Sequence, residues 1–148
     1  MHGNLGASYI RKEDWKAAEA ELREAVRLWP DYFMAHFRLV YVLVQKSDPE
    51  GAFSEYRELN RIDRDQAHAL LFRDFPGVAQ APGAQQEVAN APADAVAHFH
   101  IALELIRTKK SCGLLMRELD ETVRLAPQFA FARSLRDDGR TDCQQRGK

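Results

Sequence analysis

The side chains here with the greatest chemical potential are His98 and His100, Cys112 and Cys143, and the acidic pairs Asp120-Glu121 and Asp137-Asp138. A helix would send His98 and His100 about 200° apart, so the two do not form a metal-binding pair. Each reads as a surface or core histidine. Asp137-Asp138-Gly139 begins like a calcium loop but lacks the further spaced carboxylates and the closing glutamate, so it reads as a helix end. Ser8, Ser54, Ser111 and Ser134 stand in no nucleophile-elbow context, and no glycine-rich phosphate loop is present. Asp120-Glu121 falls on a solvated helix face. The two cysteines make no metal spacing and are expected as free thiols in a reducing cytosol. These residues predict no catalytic constellation, no metal and no cofactor.

Composition narrows the partners. Lys plus Arg number 21 against 22 Asp plus Glu, a formal charge of −1, which exerts no general pull on nucleic acid or an anionic membrane. At 148 residues, 45% hydrophobic and 29% charged, the chain suffices for one domain or a short solenoid. Its longest apolar run, Leu39 to Val44, falls far short of the roughly 20 residues that cross a bilayer. Met1-His2-Gly3-Asn4 has neither the basic segment nor the apolar stretch of a secretory signal. The expected location is the cytoplasm.

Helical periodicity dominates the pattern. Leu5, Tyr9 and Ile10 predict a short first helix ending near Arg11, and Asp14 is placed to cap a second from Trp15 to about Trp29. Pro30 stops that helix, and Asp31 offers a new cap. The next helix, Tyr32 to about Lys46, is apolar almost all round and must be covered on two sides. Asp48-Pro49-Glu50 starts a helix to Ile62, and Asp65 or Gln66 starts another that Pro76-Gly77 ends. From there to Asp94 the Ala, Pro, Gly and Gln composition predicts a long connection with one helical turn at Gln85 to Ala89. Periodicity resumes at Ala95 and fades at Lys109-Lys110. Ser111 caps a helix running to Pro127, a last one spans Gln128 to about Asp137, and residues 139–148 read as a disordered tail.

The chain also repeats itself. LREAVRLWPDYFMA (Leu22 to Ala35) returns as LDETVRLAPQFAFA (Leu119 to Ala132) with seven of fourteen positions identical, and YRELNRIDRDQAHA (Tyr56 to Ala69) matches the first at five. Leu22 and Tyr56 open the first two copies, and their spacing is that of the tetratricopeptide repeat, about 34 residues. Leu5-Gly6, Tyr9, Ala18, Leu22, Ala25 and Pro30 fall on signature positions of that family, which this unit resembles. The second unit keeps Leu39, Leu43, Ala52, Tyr56 and Leu59, with Val40 in place of the family's glycine and Arg64 in place of its proline. In the third, Leu103, Ile106, Leu115, Leu119, Thr122 and Pro127 align, again without the glycine and with Leu115 where the family has alanine. The resemblance covers about two thirds of the chain. It implies an all-α fold of antiparallel helix-turn-helix repeats stacked as a short tetratricopeptide-like α-solenoid.

On that plan residues 1–66 hold two repeats, and 96–138 a third with a C-terminal capping helix. Residues 67–95 are a short helix plus an Ala/Pro/Gly-rich connection, either a decayed repeat or an inserted loop. The resemblance implies a non-catalytic interaction module that binds a peptide or partner protein in a concave groove lined by the first helix of each repeat. Carried over by position, the lining is Ala7, Ile10 and Arg11, then Met34, Phe37, Tyr41 and Val44, then His100, Glu104 and Arg107, with Arg11, Arg38 or Arg107 orienting the ligand. The carboxylate clamp of chaperone-tail binders is not expected, because Gly3 and Ala7 stand where it needs lysine and asparagine. The alternative is a structural role, with the apolar stripe of Met34, Phe37, Tyr41 and Val44 buried in a homodimer or a larger parent protein.

Overall fold

The computed structural model describes residues 2–108 and 111–146, and among them every regular element is an α-helix. Two compact units divide the chain, Met1–Asp65 and Gln66–Lys148.

The first unit contains α1 (His2–Arg11), α2 (Trp15–Leu28), α3 (Phe33–Gln45) and the beginning of α4 (Pro49–Asp74). Asp14 caps α2 by accepting from Ala17 N at 3.2 Å, and Asp48 does the same for α4 from Gly51 N at 3.0 Å. These caps sit in two turns that match hydrogen bond for hydrogen bond, in the register of the sequence repeat. In the first turn Lys12 N donates to Ser8 O, Glu13 N to Ile10 O and Asp14 N to Tyr9 O; in the second Lys46 N donates to Val42 O, Ser47 N to Val44 O and Asp48 N to Leu43 O. Glu13 and Ser47 both adopt the left-handed conformation, φ 58 and 59, which closes each helix over its last carbonyls. Asp31 does not cap α3 as its position predicts. Its carboxylate accepts from Arg61 at 2.9 Å, and the residue before α3, Tyr32, makes no side-chain cap.

Small residues set the helix spacing in this unit. Gly6 faces Leu22 so closely that a Cβ there would fall 2.6 Å from Leu22 Cγ. Ala18, Leu22, Ala25, Ala35, Leu39 and Val42 form one buried cluster, with Tyr9, Ile10, Trp15, Val26 and Tyr32 packed on it. Ala52, Tyr56 and Leu59, the counterparts of Ala18, Leu22 and Ala25 one repeat later, are likewise fully enclosed. The expectation that α3 is covered on more than one side holds: Phe33, Ala35, His36, Leu39, Val40, Val42, Leu43 and Val44 are all buried. At Asp63 the backbone of α4 leaves helical geometry (φ −161, ψ 92), between the two helices that the sequence predicts there.

The second unit holds the rest of α4, then α5 (Pro76–Gln80), α6 (Ala84–Asn90), α7 (Ala93–Arg107), α8 (Cys112–Leu125) and α9 (Ala130–Arg146). Three expectations are corrected here. Helix α4 ends at Asp74, just before Pro76-Gly77 as expected, and α6 covers the helical turn expected at Gln85 to Ala89, but Pro76 also opens α5, since proline at a first helical position costs no hydrogen bond. The supposed connection also contributes to the core: Val78, Ala84, Val88 and Ala91 are buried with Leu71, Val96, Phe99, Phe129 and Ala132. A few apolar residues in short helical turns suffice for that, whatever the average composition.

The second correction is the tail. Helix α9 continues through residues 139–146, and a Cβ at Gly139 would lie 3.6 Å from Met116 and 3.8 Å from Leu119, so α9 packs on α8 beyond the expected end. The third is the cysteines, which are not free: Cys112, the first residue of α8, is disulfide-bonded to Cys143 near the end of α9, with 5.7 Å between the Cα atoms. Packing of α9 along α8 brings together two residues that sequence separation alone left apart. Ser111 caps α8 as expected, accepting from Gly113 N at 3.2 Å. The predicted fading of α7 at Lys109-Lys110, and the end of the predicted tail at Gly147-Lys148, lie outside the described residues. No described helix is long and apolar enough to cross a membrane.

Candidate functional site

Two side-chain constellations stand out, one in each unit. In the first unit a polar chain runs across α2, α3 and α4. Lys46 Nζ lies 2.5 Å from Glu19 Oε1, Glu19 Oε2 accepts from Arg23 at 2.7 Å, and Arg23 lies 3.5 Å from Glu55. Glu55 Oε2 in turn stands 2.7 Å from His36 Nδ1, while His36 Nε2 is 2.7 Å from the carbonyl oxygen of Pro30. A carbonyl and an ionised carboxylate only accept, so both ring nitrogens donate and the arrangement suits the imidazolium. Burial opposes that charge, but the hydrogen bonds to Glu55 and Pro30 and the charges of Glu55 and Glu58 hold the His36 pKa above its ordinary value. The hydrogen bonds from Lys46 and Arg23 hold the Glu19 carboxyl below its usual range against partial burial. This network fixes α3 against its neighbours and holds Pro30 at the turn before it.

Beside the network lies the apolar face of α3. Met34, Phe37, Arg38 and Tyr41 are half-buried, and Tyr41 meets Trp15 edge-on at 5.8 Å. Ile10 is half-buried against the core of this unit, and Arg11 is exposed. Val44, expected on the same groove, is only 1% exposed and is core. Its place one turn after the buried Val40 draws it inward. Ala7 is half-buried, and the surroundings of Gly3 fall outside the described residues.

The second unit gathers Asp74 from the end of α4 with His100 and Glu104 from one face of α7, their nearest ligand atoms all within 4.8 Å of one another. His100 and Glu104 are not groove-lining: they are 1% and 3% exposed. That part of the expected binding surface is corrected, since the face of α7 assigned to a ligand is turned into the protein. Arg107 Nη2 donates to both oxygens of Glu104, at 2.7 and 2.6 Å, and its guanidinium stacks over Phe75 at 5.2 Å. Phe75 also presents itself edge-on to His100 at 5.6 Å, and Arg73 Nε lies 2.9 Å from Asp74. Arg107 is therefore engaged internally and does not stand ready to orient a ligand.

Electrostatics in this cluster follow from burial. Loss of water pushes the His100 pKa down to about 3, with Arg107 and His68 adding to the effect and Asp74 opposing it, so the ring is neutral. Burial raises the Glu104 carboxyl and Asp74 raises it further, while the charge and hydrogen bonds of Arg107 pull the other way. The predicted divergence of the two histidines is observed. His98 Nδ1 lies 2.5 Å from Glu118 Oε2 on α8, whereas His100 joins Asp74 and Glu104. His100 and Glu104 stand one helical turn apart, which was visible in the sequence as a shared helix face. Asp74, far upstream on another helix, carried no such signal.

No family model matches the chain, and no curated protein matches it.

Proposed function

We propose that this is a non-catalytic protein-protein interaction module built from tetratricopeptide-like repeats, taking a peptide or partner protein along the apolar face of α3. The observation that carries the reading is the duplication of the helix-turn-helix joint in the first unit: three backbone hydrogen bonds, an aspartate cap and a left-handed residue recur at equivalent positions of the two turns. The joint inside the repeated string recurs too. Trp29 N donates to Ala25 O and Tyr32 N to Trp29 O, and in the later copy Ala126 N donates to Thr122 O and Phe129 N to Ala126 O. Glu55 and Glu118, each one residue before the large buried residue of its second helix, both accept from a histidine on the preceding helix. Repeated local geometry of this kind favours a helical-repeat scaffold, and such scaffolds serve binding more often than turnover, an inference by analogy of fold.

The ligand side chains would meet Met34, Phe37 and Tyr41, with Ile10, Arg11 and Arg38 at the margin; no nucleic acid, membrane or cofactor is part of the proposal. The test is selection of binding peptides on the intact protein, followed by titration against wild type and Tyr41→Ala. Weakened binding by the variant supports the site, and equal affinities move it elsewhere.

A second reading is favoured by Leu28 and Trp29, 60% and 62% exposed, beside one another at the end of α2. On this reading the module is structural and associates through an apolar surface, with itself or with a larger assembly. Sedimentation at rising concentration separates the two: a mass that doubles in wild type but not in Trp29→Ser favours the dimer, and a constant monomer mass removes it. The expected cytoplasmic placement went together with free thiols, whereas Cys112 and Cys143 are bonded; thiol titration of protein from its native cell measures their redox state there.

A further inference from the structure

We propose that Asp74, His100 and Glu104 form a binding site for one divalent first-row transition-metal ion. The site goes beyond the interaction reading and does not depend on it. One imidazole and two carboxylates are a donor set for Zn2+, Co2+, Mn2+ or Fe2+, and three protein ligands leave a further position for water or a fourth ligand. The three ligand atoms already lie within 4.8 Å of one another. Bonds of about 2.0–2.2 Å need ligands about 3.4 Å apart, so closure requires shifts on the order of 1 Å. Helix α7 fixes two of the ligands, since His100 and Glu104 are one turn apart on the same face.

The surroundings resemble a metal pocket more than an ordinary ion pair. Glu104 and Arg107 alone would make a complete pair, yet His100 and Asp74 are brought to the same point. His100 is enclosed, with the Phe75 ring packed perpendicular to it, so exchange with bulk water is restricted. Arg107 is the competing cation. Its side chain is 43% exposed, which gives it a route into solvent when a metal takes the Glu104 oxygens. Arg73, 60% exposed, stands in the same relation to Asp74. Arg107 thus sets the affinity by competition.

The test uses the full chain with Cys112–Cys143 kept oxidised, so that thiolates do not compete for metal. Chelator-stripped protein is titrated with Zn2+ against a chromophoric competitor and, separately, with Co2+ followed by its visible absorption. One equivalent should bind. Loss of an outer partner alone changes metal affinity about 10–100-fold, so removing a ligand in His100→Ala or Glu104→Gln should weaken binding by at least about tenfold. Arg107→Ala should instead tighten it, whereas His98→Gln should leave it unchanged. If His100→Ala does not fold, NMR of wild type decides, because Zn2+ must shift the His100 ring resonances and leave those of His98 in place. Absence of saturable one-to-one binding overturns the site. So does binding that is indifferent to the ligand variants, or an Arg107→Ala protein that loses thermal stability without gaining affinity.

Discussion

Gly6 lies against Leu22 with no room for a methyl group between them: a Cβ on Gly6 would stand 2.6 Å from Leu22 Cγ and 2.7 Å from Cδ2. Leu22 is fully enclosed, so it can give way only by displacing its own neighbours. Gly6→Ala gains about 1 kcal/mol in helix propensity, but forcing a methyl into a packed interface costs about 1–3 kcal/mol. The expected outcome is a lower melting temperature despite the better helix former. A protein stabilised by Gly6→Ala would show that α1 moves freely off α2.

Ala18 is the second small residue at this crossing and is fully buried. Ala18→Leu should destabilise by about 1–3 kcal/mol in urea unfolding, while the same exchange at exposed Ala20 should have little effect. Equal midpoints for the two variants would defeat the proposed packing.

His36 makes stability depend on pH with a definite sign. Its folded pKa is raised, through Glu55, Pro30 O and the charge of Glu58, with Arg23 facing Glu55 from α2. A raised folded value means that the stabilising contribution is complete below the unfolded pKa of about 6.5, and is lost as pH rises through the folded value. Melting temperatures measured between mildly acidic and alkaline pH should therefore fall more steeply for wild type than for His36→Asn. Parallel curves would remove the imidazolium bridge from the account.

The Cys112–Cys143 bond closes a segment with sequence separation 31, for which chain entropy predicts about 3–4 kcal/mol of stabilisation. Cys143→Ser or a reductant should lower stability by up to that amount and increase amide exchange in the second half of α9. Exchange that rises uniformly through both units would mean that the bond does not act locally.

Much of the helical layout was legible in the residues. Pro30, Pro49 and Pro127, the caps Asp14, Asp48 and Ser111, and the apolar spacing of α2, α3 and α8 are local signals, and local backbone chemistry enforces them. The repeat of the first unit was legible for the same reason, since Glu13 and Ser47 close turns of identical hydrogen bonding. Asp31 misled because α3 starts at Phe33, which puts Tyr32 and not Asp31 at the cap position, and the exposed Asp31 carboxylate meets Arg61 instead. Composition misled over α5 and over the burial of this stretch, because four well-placed apolar residues outweigh a polar average once they meet a core.

The sequence by itself determined where helices begin and turn, which positions needed small residues, and that His98 and His100 part company, since all of these follow from bonds and contacts within a few residues. Only the tertiary structure decided what those residues meet. It brought Asp74 to His100 and Glu104, joined Cys112 to Cys143, set His36 between Glu55 and a backbone carbonyl, and sank Val44 into the core. Such pairings depend on how helices pack across intervening chain, and packing is settled by the combined shape of many side chains, which no short stretch of sequence contains.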